Sequence, residues 1–383
     1  MIKDNENEKS LFEIFTEINN DCQMYLQTIE KTNQDAQSNE NKTEIILVSN
    51  FVSFVKKIKS HVAQLEIHKK NEKIIIEKTT KTLREIYKSE LIDEICQPYE
   101  EMNITAFDKL IKKVDENADT KFITGNSMRQ IAKELLSHSK SLPLELESSI
   151  FYRYNPNNLK FHEFVIAAPE GTPYDSGCFH FRMYCSSEYP NKNPQVNIYT
   201  TGNGNVKFNP NLYADGKICL SILGTWSAQA GESWIPGTST MMQIMISIQS
   251  LVLVSEPYFN EAGYEKYYGT ENGKKSSEQY NHSVRLNCMK WAMIDMMKNP
   301  TKGFEVTIEK HFRLKAEYIK KICATWVSEA PNDMSNDFKT TYINLCKELD
   351  KLTKTQTDTS EFEKEKKPIV IKSKKNSRKI INV

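Results

Sequence analysis

Residues 208–220 read FNPNLYADGKICL, a stretch that turns twice before it presents a thiol. Pro210 stands between Asn209 and Asn211, and Asp215-Gly216 is a turn dipeptide. Cys219 follows Asn211 by eight residues. Such a loop either buries a small hydrophobe or holds a reactive sulfur beside a hydrogen-bond donor. Most free cysteines are buried and inert, so the thiol alone favours the first reading. Asn211 is equally open. Its amide is suited to stabilise an oxyanion, or to brace a turn, as asparagines commonly do.

Composition narrows the choice. The chain has 383 residues, with 51 basic and 50 acidic side chains, so no global field calls for nucleic acid or a membrane surface. Mean hydropathy is −0.57, and no apolar run approaches the ~18 residues of a bilayer span. The polar start, MIKDNENEKS, does not read as a secretory leader. A reducing compartment is therefore expected, the cytoplasm first and the nucleus second. The eight cysteines include no C-x-x-C pair, which leaves zinc and dithiol redox chemistry without support. The seven histidines all lie away from the Cys219 loop in sequence. A thiol without an adjacent base suits thioester exchange, because even a small thiolate fraction is strongly nucleophilic.

Working outward, residues 1–120 carry three apolar stripes at helical spacing: Leu11 to Ile29, Leu47 to Leu65 and Ile76 to Ile95. They predict a helical region, a bundle or coiled coil for packing or interaction. Ser127-Met128-Arg129-Gln130 has the form of a capping box opening a helix. Alternating strands follow around Phe161–Ile166, Phe179–Met183 and Val196–Ile198, with turn-rich linkers between. The segment 238–254 is apolar all round and predicts a buried helix, capped by Ser239 or Thr240. Helices are expected over 280–298 and 304–323. Residues 364–379 hold eight basic side chains against one acid, as a solvated tail would. The whole reads as α+β: a helical region 1–120, a mixed domain 126–300, a helical extension 301–352 and a basic, disordered tail 353–383.

The ordered motifs resemble the ubiquitin-conjugating enzymes. The Asn-Pro-Asn corner with Cys219-Leu220 is similar to that family's active-site segment. GTPYDSGCFHF (171–181), YPNKNPQV (189–196), Trp234 with Pro236, and IQSLVLVSEP (248–257) arrive in the family's order. The similarity is nearest to the large hybrid branch that also acts as its own ligase, of which BRUCE (apollon) is one, and it continues to about Trp326. The zinc-binding repeat of that enzyme has no counterpart in this sequence.

The resemblance implies a four-stranded antiparallel sheet with flanking helices and no bound cofactor or metal. It implies that Cys219 takes ubiquitin as a thioester from an activating enzyme and passes it to a substrate lysine. Asn211 occupies the position of the oxyanion or loop asparagine, and Glu261 that of an acid which readies the lysine. Pro210, Ser221, Trp234, Pro236, Tyr189 and Pro190 fall on the binding and framing positions. Ser221 stands where relatives often carry a charge and supplies none. Asn209 replaces a frequent histidine, GTWSAQAGES lengthens the stretch before Trp234, and Asn191 replaces the aromatic anchor of RING-dependent members. The helical N-terminus is expected to bind substrate, a ligase or a second copy. Other readings are a conjugating-fold module that binds without catalysis, an enzyme for another ubiquitin-like modifier and, weakest, a cysteine protease.

Overall fold

The computed structural model describes residues 83–111, 125–226 and 232–364, with side chains to 354. The first two N-terminal stripes and the basic residues after 364 lie outside the described residues.

The sequence alternation becomes a sheet. Helix α1 (83–91) leads into strand β1, Cys96–Pro98. Helix α2, Gly125–Ser141, precedes β2, Leu144–Glu145; β3, Ser148–Tyr154; β4, Phe161–Ala167; β5, Cys178–Tyr184; and β6, Gln195–Ile198. Strands β3 to β6 form the expected antiparallel run, in spatial order. Two additions make the sheet mixed and six-stranded: β2 pairs antiparallel with β3, and β1 pairs parallel with it.

Strand β1 corrects the all-helical reading of 1–120. The stripe that ends at Ile95 does bury Leu91 and Ile95. However, the open edge of β3 captures the backbone beyond them. Tyr152 N donates to Ile95 O at 2.7 Å, and Tyr99 N donates to Tyr154 O at 2.8 Å. Pro98, which has no N–H, is tolerable on an edge strand.

Side chains alternate across the sheet. One face carries Tyr152, Phe164 and Phe181, the last two stacked at 4.8 Å, with the Tyr152 hydroxyl 3.3 Å from the Met241 sulfur. That sulfur belongs to helix α3, Met241–Ser247, which continues as a π-helical turn over Ile248–Val252. Thr240 supplies the capping box here, its hydroxyl accepting from Gln243 N and the Gln243 side chain accepting from Thr240 N.

The box expected at Ser127 does not form. Ser127 lies inside α2, where its hydroxyl donates to Tyr189 O, while Gln130 donates to Glu134. A buried backbone carbonyl outcompetes the helix end for that hydroxyl.

The opposite face carries Arg153, Glu163 and Arg182 in one row. It is covered rather than open, and every residue of β4 is buried. Phe107 packs on Phe161 at 5.0 Å, and Arg182 lies over Phe107 while donating to Ala106 O. Helix α4, Glu271–Asn287, runs on through Cys288–Asp295 and Met296–Lys298. Helix α5, Glu305–Ser328, then supplies the remaining cover. Arg153 binds Glu94 at 2.6 Å, Gly303 O at 2.6 Å and Thr307 at 3.0 Å. Buried Lys315 donates to Leu146 O at 2.8 Å and Glu170 at 2.9 Å. Helix α6, Ser335–Lys364, crosses the 353 boundary set for the tail.

Three buried histidines give this core a pH signature. Burial pushes His138 down to about 4, and His162 and His311 down to about 3. Among the described residues neither ring nitrogen of His138 has a hydrogen-bond partner, and its ring lies edge-on to Tyr152 at 4.7 Å. The folded values lie below the unfolded value of about 6.5. Their stabilising contribution is therefore complete above that pH and is lost as the pH falls toward 4. Burial also raises Glu170 and Asp175, which act in the opposite sense in the carboxylate range. Urea midpoints are expected to fall between pH 6.5 and 4.5. His138→Phe should flatten that slope by about 1.4 kcal/mol per pH unit, and an unchanged slope would contradict this assignment.

Candidate active site

The Cys219 loop is pinned by one buried amide. Asn209 is fully buried, its Nδ2 donating to Val252 O at 2.8 Å and to the Tyr174 hydroxyl at 3.2 Å. Its Oδ1 accepts from Asn211 N at 2.8 Å and from Asn260 Nδ2 at 3.4 Å. Tyr174, from the GTPYDSG segment, donates its own proton to Phe208 O at 2.8 Å. The corner, the hairpin and the end of the buried helix are thus tied together. Buried Pro210 holds the bend between the two asparagines.

The chain then returns through the Asp-Gly turn. Asp215 Oδ1 accepts from Lys217 N at 2.9 Å, and Tyr213 N donates to Lys217 O at 2.9 Å. Gly216 has φ +94°, and a Cβ there would stand 2.8 Å from Ile198 O, so a side chain is excluded on both counts. Cys219 N donates to Asn211 O at 2.9 Å, and Asn211 Nδ2 donates to Cys219 O at 2.7 Å. In this geometry Asn211 braces the cysteine's own backbone. Thr225 closes the other side, donating to Ile218 O at 2.7 Å and accepting from Leu220 N at 2.9 Å.

Cys219 is only 3% exposed, at the floor of a cleft of about 440 Å³ that Asn211, Ser221, Trp226, Glu232, Leu251 and Asn260 help to line. Ser221 opens the short 3-10 turn Ser221–Leu223 on that lining. The neighbouring Cys219 sulfur raises the Tyr213 phenol above its ordinary range, with partial burial and a hydrogen bond between the two adding to the effect. Tyr213 in turn lies under Lys207, whose Nζ is 4.6 Å from the ring centroid. Glu261, which follows the 3-10 turn Pro257–Asn260, holds that Nζ at 3.5 Å. Tyr213, Lys207 and Glu261 therefore form one chain of contacts beside the Cys219 loop. By contrast, burial drives the thiols of Cys178, Cys185, Cys288 and Cys323 up, into the inert neutral form.

The other residues expected at the site meet elsewhere. Tyr189-Pro190 is a cis peptide; Trp234 Nε1 donates to Pro190 O at 2.7 Å, and its ring lies 5.7 Å from Tyr189. The Tyr189 hydroxyl binds buried Glu134, which also accepts from Met241 N at 2.8 Å. This assembly joins α2 to α3 and does not line the cleft. Pro236 is exposed beside it.

Sequence reasoning missed Tyr213, Lys207 and Asn260. Tyr213 lies two residues after Asn211, but nothing in its spacing marks a contact with the thiol. No group of three or more His, Cys, Asp or Glu residues is placed to hold a metal ion among the described residues. No helix among them is long and apolar enough to cross a membrane.

The α+β scaffold thus presents a braced thiol at a cleft. The profile of the ubiquitin-conjugating enzyme family matches residues 130–288. The "Putative ubiquitin-conjugating enzyme E2 38" of Arabidopsis thaliana is 36% identical over 228 residues, which cover 58% of this chain and 69% of the relative. The chain belongs to the ubiquitin-conjugating enzyme family. It is also similar to the probable ubiquitin-conjugating enzyme E2 R521 of Acanthamoeba polyphaga mimivirus, at 50% identity over 350 residues. That match covers 90% of this chain and 24% of the relative. The dual E2 ubiquitin-conjugating enzyme/E3 ubiquitin-protein ligase BIRC6 of Homo sapiens matches at 46% over 201 residues, 52% of this chain and 4% of that protein. The chain thus spans about a quarter of the viral relative's length and a small fraction of the human one's.

The bracing role of Asn211 has a stability consequence. Asn211→Ala should lower the unfolding free energy by about 1 kcal/mol, read from a urea midpoint at pH 7. An unchanged midpoint would return the amide to a purely chemical role.

Proposed function

We propose that Cys219 accepts ubiquitin as a thioester from an activating enzyme and transfers it to a lysine of a protein substrate. The observation that carries this reading is the thiol at the cleft, its backbone braced on both sides by Asn211. Among the described residues no histidine lines that cleft, which speaks against a Cys-His protease.

In the first step the Cys219 sulfur attacks the incoming thioester carbonyl, and the activating enzyme's sulfur leaves. Exchange between two thiols needs little general-base help. In the second step an amine attacks, the carbon–sulfur bond breaks, and the amine proton must leave. In this reading Glu261 takes it, a service that contributes roughly 10²-fold or more where it operates. Asn211 holds the Cys219 carbonyl and therefore the direction of the sulfur. The exposed side of α2, with Met128 and Lys133, is the surface proposed to meet the activating enzyme.

Similarity to a protein named as both conjugating enzyme and ligase supports ligase character in the flanking helices. Self-association through residues 1–120 and a cytoplasmic or nuclear location belong to the same proposal.

The direct test incubates the chain with ubiquitin, an activating enzyme and ATP, and compares gels run with and without reductant. An adduct that reductant removes and Cys219→Ala abolishes is expected. Its absence, with the activating enzyme competent on a control, would favour a binding module or another modifier. Glu261→Gln should slow discharge to free lysine by about 10²-fold, and by far more than it slows charging. Equal slowing of both steps would count against Glu261 as the proton acceptor.

A further inference from the structure

The GTPYDSG hairpin that supports the Asn209 corner is gripped from one side by α5. Tyr318 donates to Asp175 Oδ2 at 2.9 Å, and His311 donates to Ser176 O at 3.0 Å. Lys315, only 1% exposed, donates to Glu170 Oε1 at 2.9 Å and to Leu146 O at 2.8 Å. Positions 311, 315 and 318 recur at four and three residues, so they share one face of the helix. Buried Asp175 spreads the contact further. Its Oδ2 also accepts from Gly171 N at 2.9 Å, and its Oδ1 accepts from the Ser176 hydroxyl at 2.8 Å.

The hydrogen bonds continue from this hairpin to the cysteine. Tyr174 O accepts from Gly177 N at 2.9 Å and from the Cys288 thiol at 3.3 Å. The Tyr174 hydroxyl donates to Phe208 O at 2.8 Å and accepts from Asn209 Nδ2 at 3.2 Å. Asn209 Oδ1 holds Asn211 N at 2.8 Å, and Asn211 exchanges two bonds with the Cys219 backbone, at 2.9 and 2.7 Å. Tyr174, Asp175, Ser176 and Asn209 are all buried. Such a network is stiff, because a buried polar group left unpaired is costly. Helix α5 begins at Glu305, beyond residue 288 where the family profile ends, so this grip is an addition to the matched domain.

We infer that α5 is a positioning element of the transfer reaction, in which Tyr318 and Lys315 hold the Cys219 loop in place through the 170–176 hairpin. The inference rests on the thioester chemistry proposed above. Neither residue lines the Cys219 cleft, so both act through the loop and not on the acyl group. A displacement of about 1 Å at a reacting centre can cost on the order of 10² in rate. Loosening the hairpin leaves the surface proposed for the activating enzyme on α2 as it is. The loss therefore falls on the maximal rate and spares KM. A grip that only stabilised the fold would lower stability and leave the rate per folded molecule unchanged.

The test charges the full chain, Tyr318→Phe, Tyr174→Phe and the double variant with ubiquitin, an activating enzyme and ATP. Near-ultraviolet circular dichroism gives the folded fraction, and rates are taken per folded molecule. Tyr318→Phe should lower the maximal charging rate on the order of tenfold, with KM for the charged activating enzyme unchanged, and Lys315→Met should follow the same pattern. In the Tyr174→Phe background Tyr318→Phe should add a factor of about two or less, because the route is already cut before Asn209. Lys320→Gln removes the 2.8 Å contact from α5 to Asp350 on α6, off this route, and should leave the rate as in the wild type. A Tyr318→Phe chain that charges at the wild-type rate, losses that multiply in the double variant, or equal slowing by Lys320→Gln would overturn the inference and leave the functional reading standing. A wild-type chain that forms no thioester with a competent activating enzyme would overturn that reading and this inference with it.

Discussion

The Cys219 loop depends on the buried side-chain amide of Asn209. Four contacts converge on it: Val252 O, the Tyr174 hydroxyl, Asn211 N and Asn260 Nδ2. A buried amide left unpaired is costly, so a fully paired one fixes its neighbours firmly. Through Val252 it sets the end of the buried helix, and through Tyr174 the hairpin before β5. Through Asn211 it sets the Cys219 backbone, and Asn260 precedes Glu261. The motifs that run in order along the chain are therefore parts of one hydrogen-bonded unit. A shift at any one of them would move the sulfur relative to its neighbours.

The flanks are built into the same body. Arg153 joins the β1 region to α5 across the outer face of the sheet. Lys315, almost fully buried, ties α5 to Glu170 at the start of the GTPYDSG hairpin. His311 reads the same joint from two sides. Its Nε2 faces Ser176 O at 3.0 Å, which can only accept, so that nitrogen carries the proton. Its Nδ1 then accepts from the Tyr87 hydroxyl at 2.8 Å, consistent with a neutral ring. Tyr318 adds a bond from α5 to Asp175 at 2.9 Å. A hairpin whose tyrosine supports the Asn209 corner is thus held by α5, well beyond the segment that carries the thiol.

The α+β class and the four antiparallel strands were legible because alternation and turn residues are local signals. The double turn of the Cys219 loop was legible because Asn-Pro-Asn and Asp-Gly are local turn signals. Strand β1 was not, since Ile95 and Cys96 continue a helical stripe and only the edge of β3 diverts them. The Ser127 capping box failed for a similar reason, as a carbonyl 62 residues away took its hydroxyl. Lys207 meets Tyr213 and Glu261 through side-chain geometry, which no periodicity encodes. The Asn209 substitution, which looked like a departure, proved to be the best-connected polar group of the site.

The measurement that tests this account most directly is the rate of Cys219 thioester formation in Asn209→Leu, a substitution close in size that removes every one of these bonds. Near-ultraviolet circular dichroism on the same sample would show whether the packed core persists. The account predicts a retained core with charging slowed on the order of tenfold or more, because Val252 O and Asn211 N lose their partner. Charging at the wild-type rate in a folded Asn209→Leu chain would contradict the claim that this amide positions the sulfur.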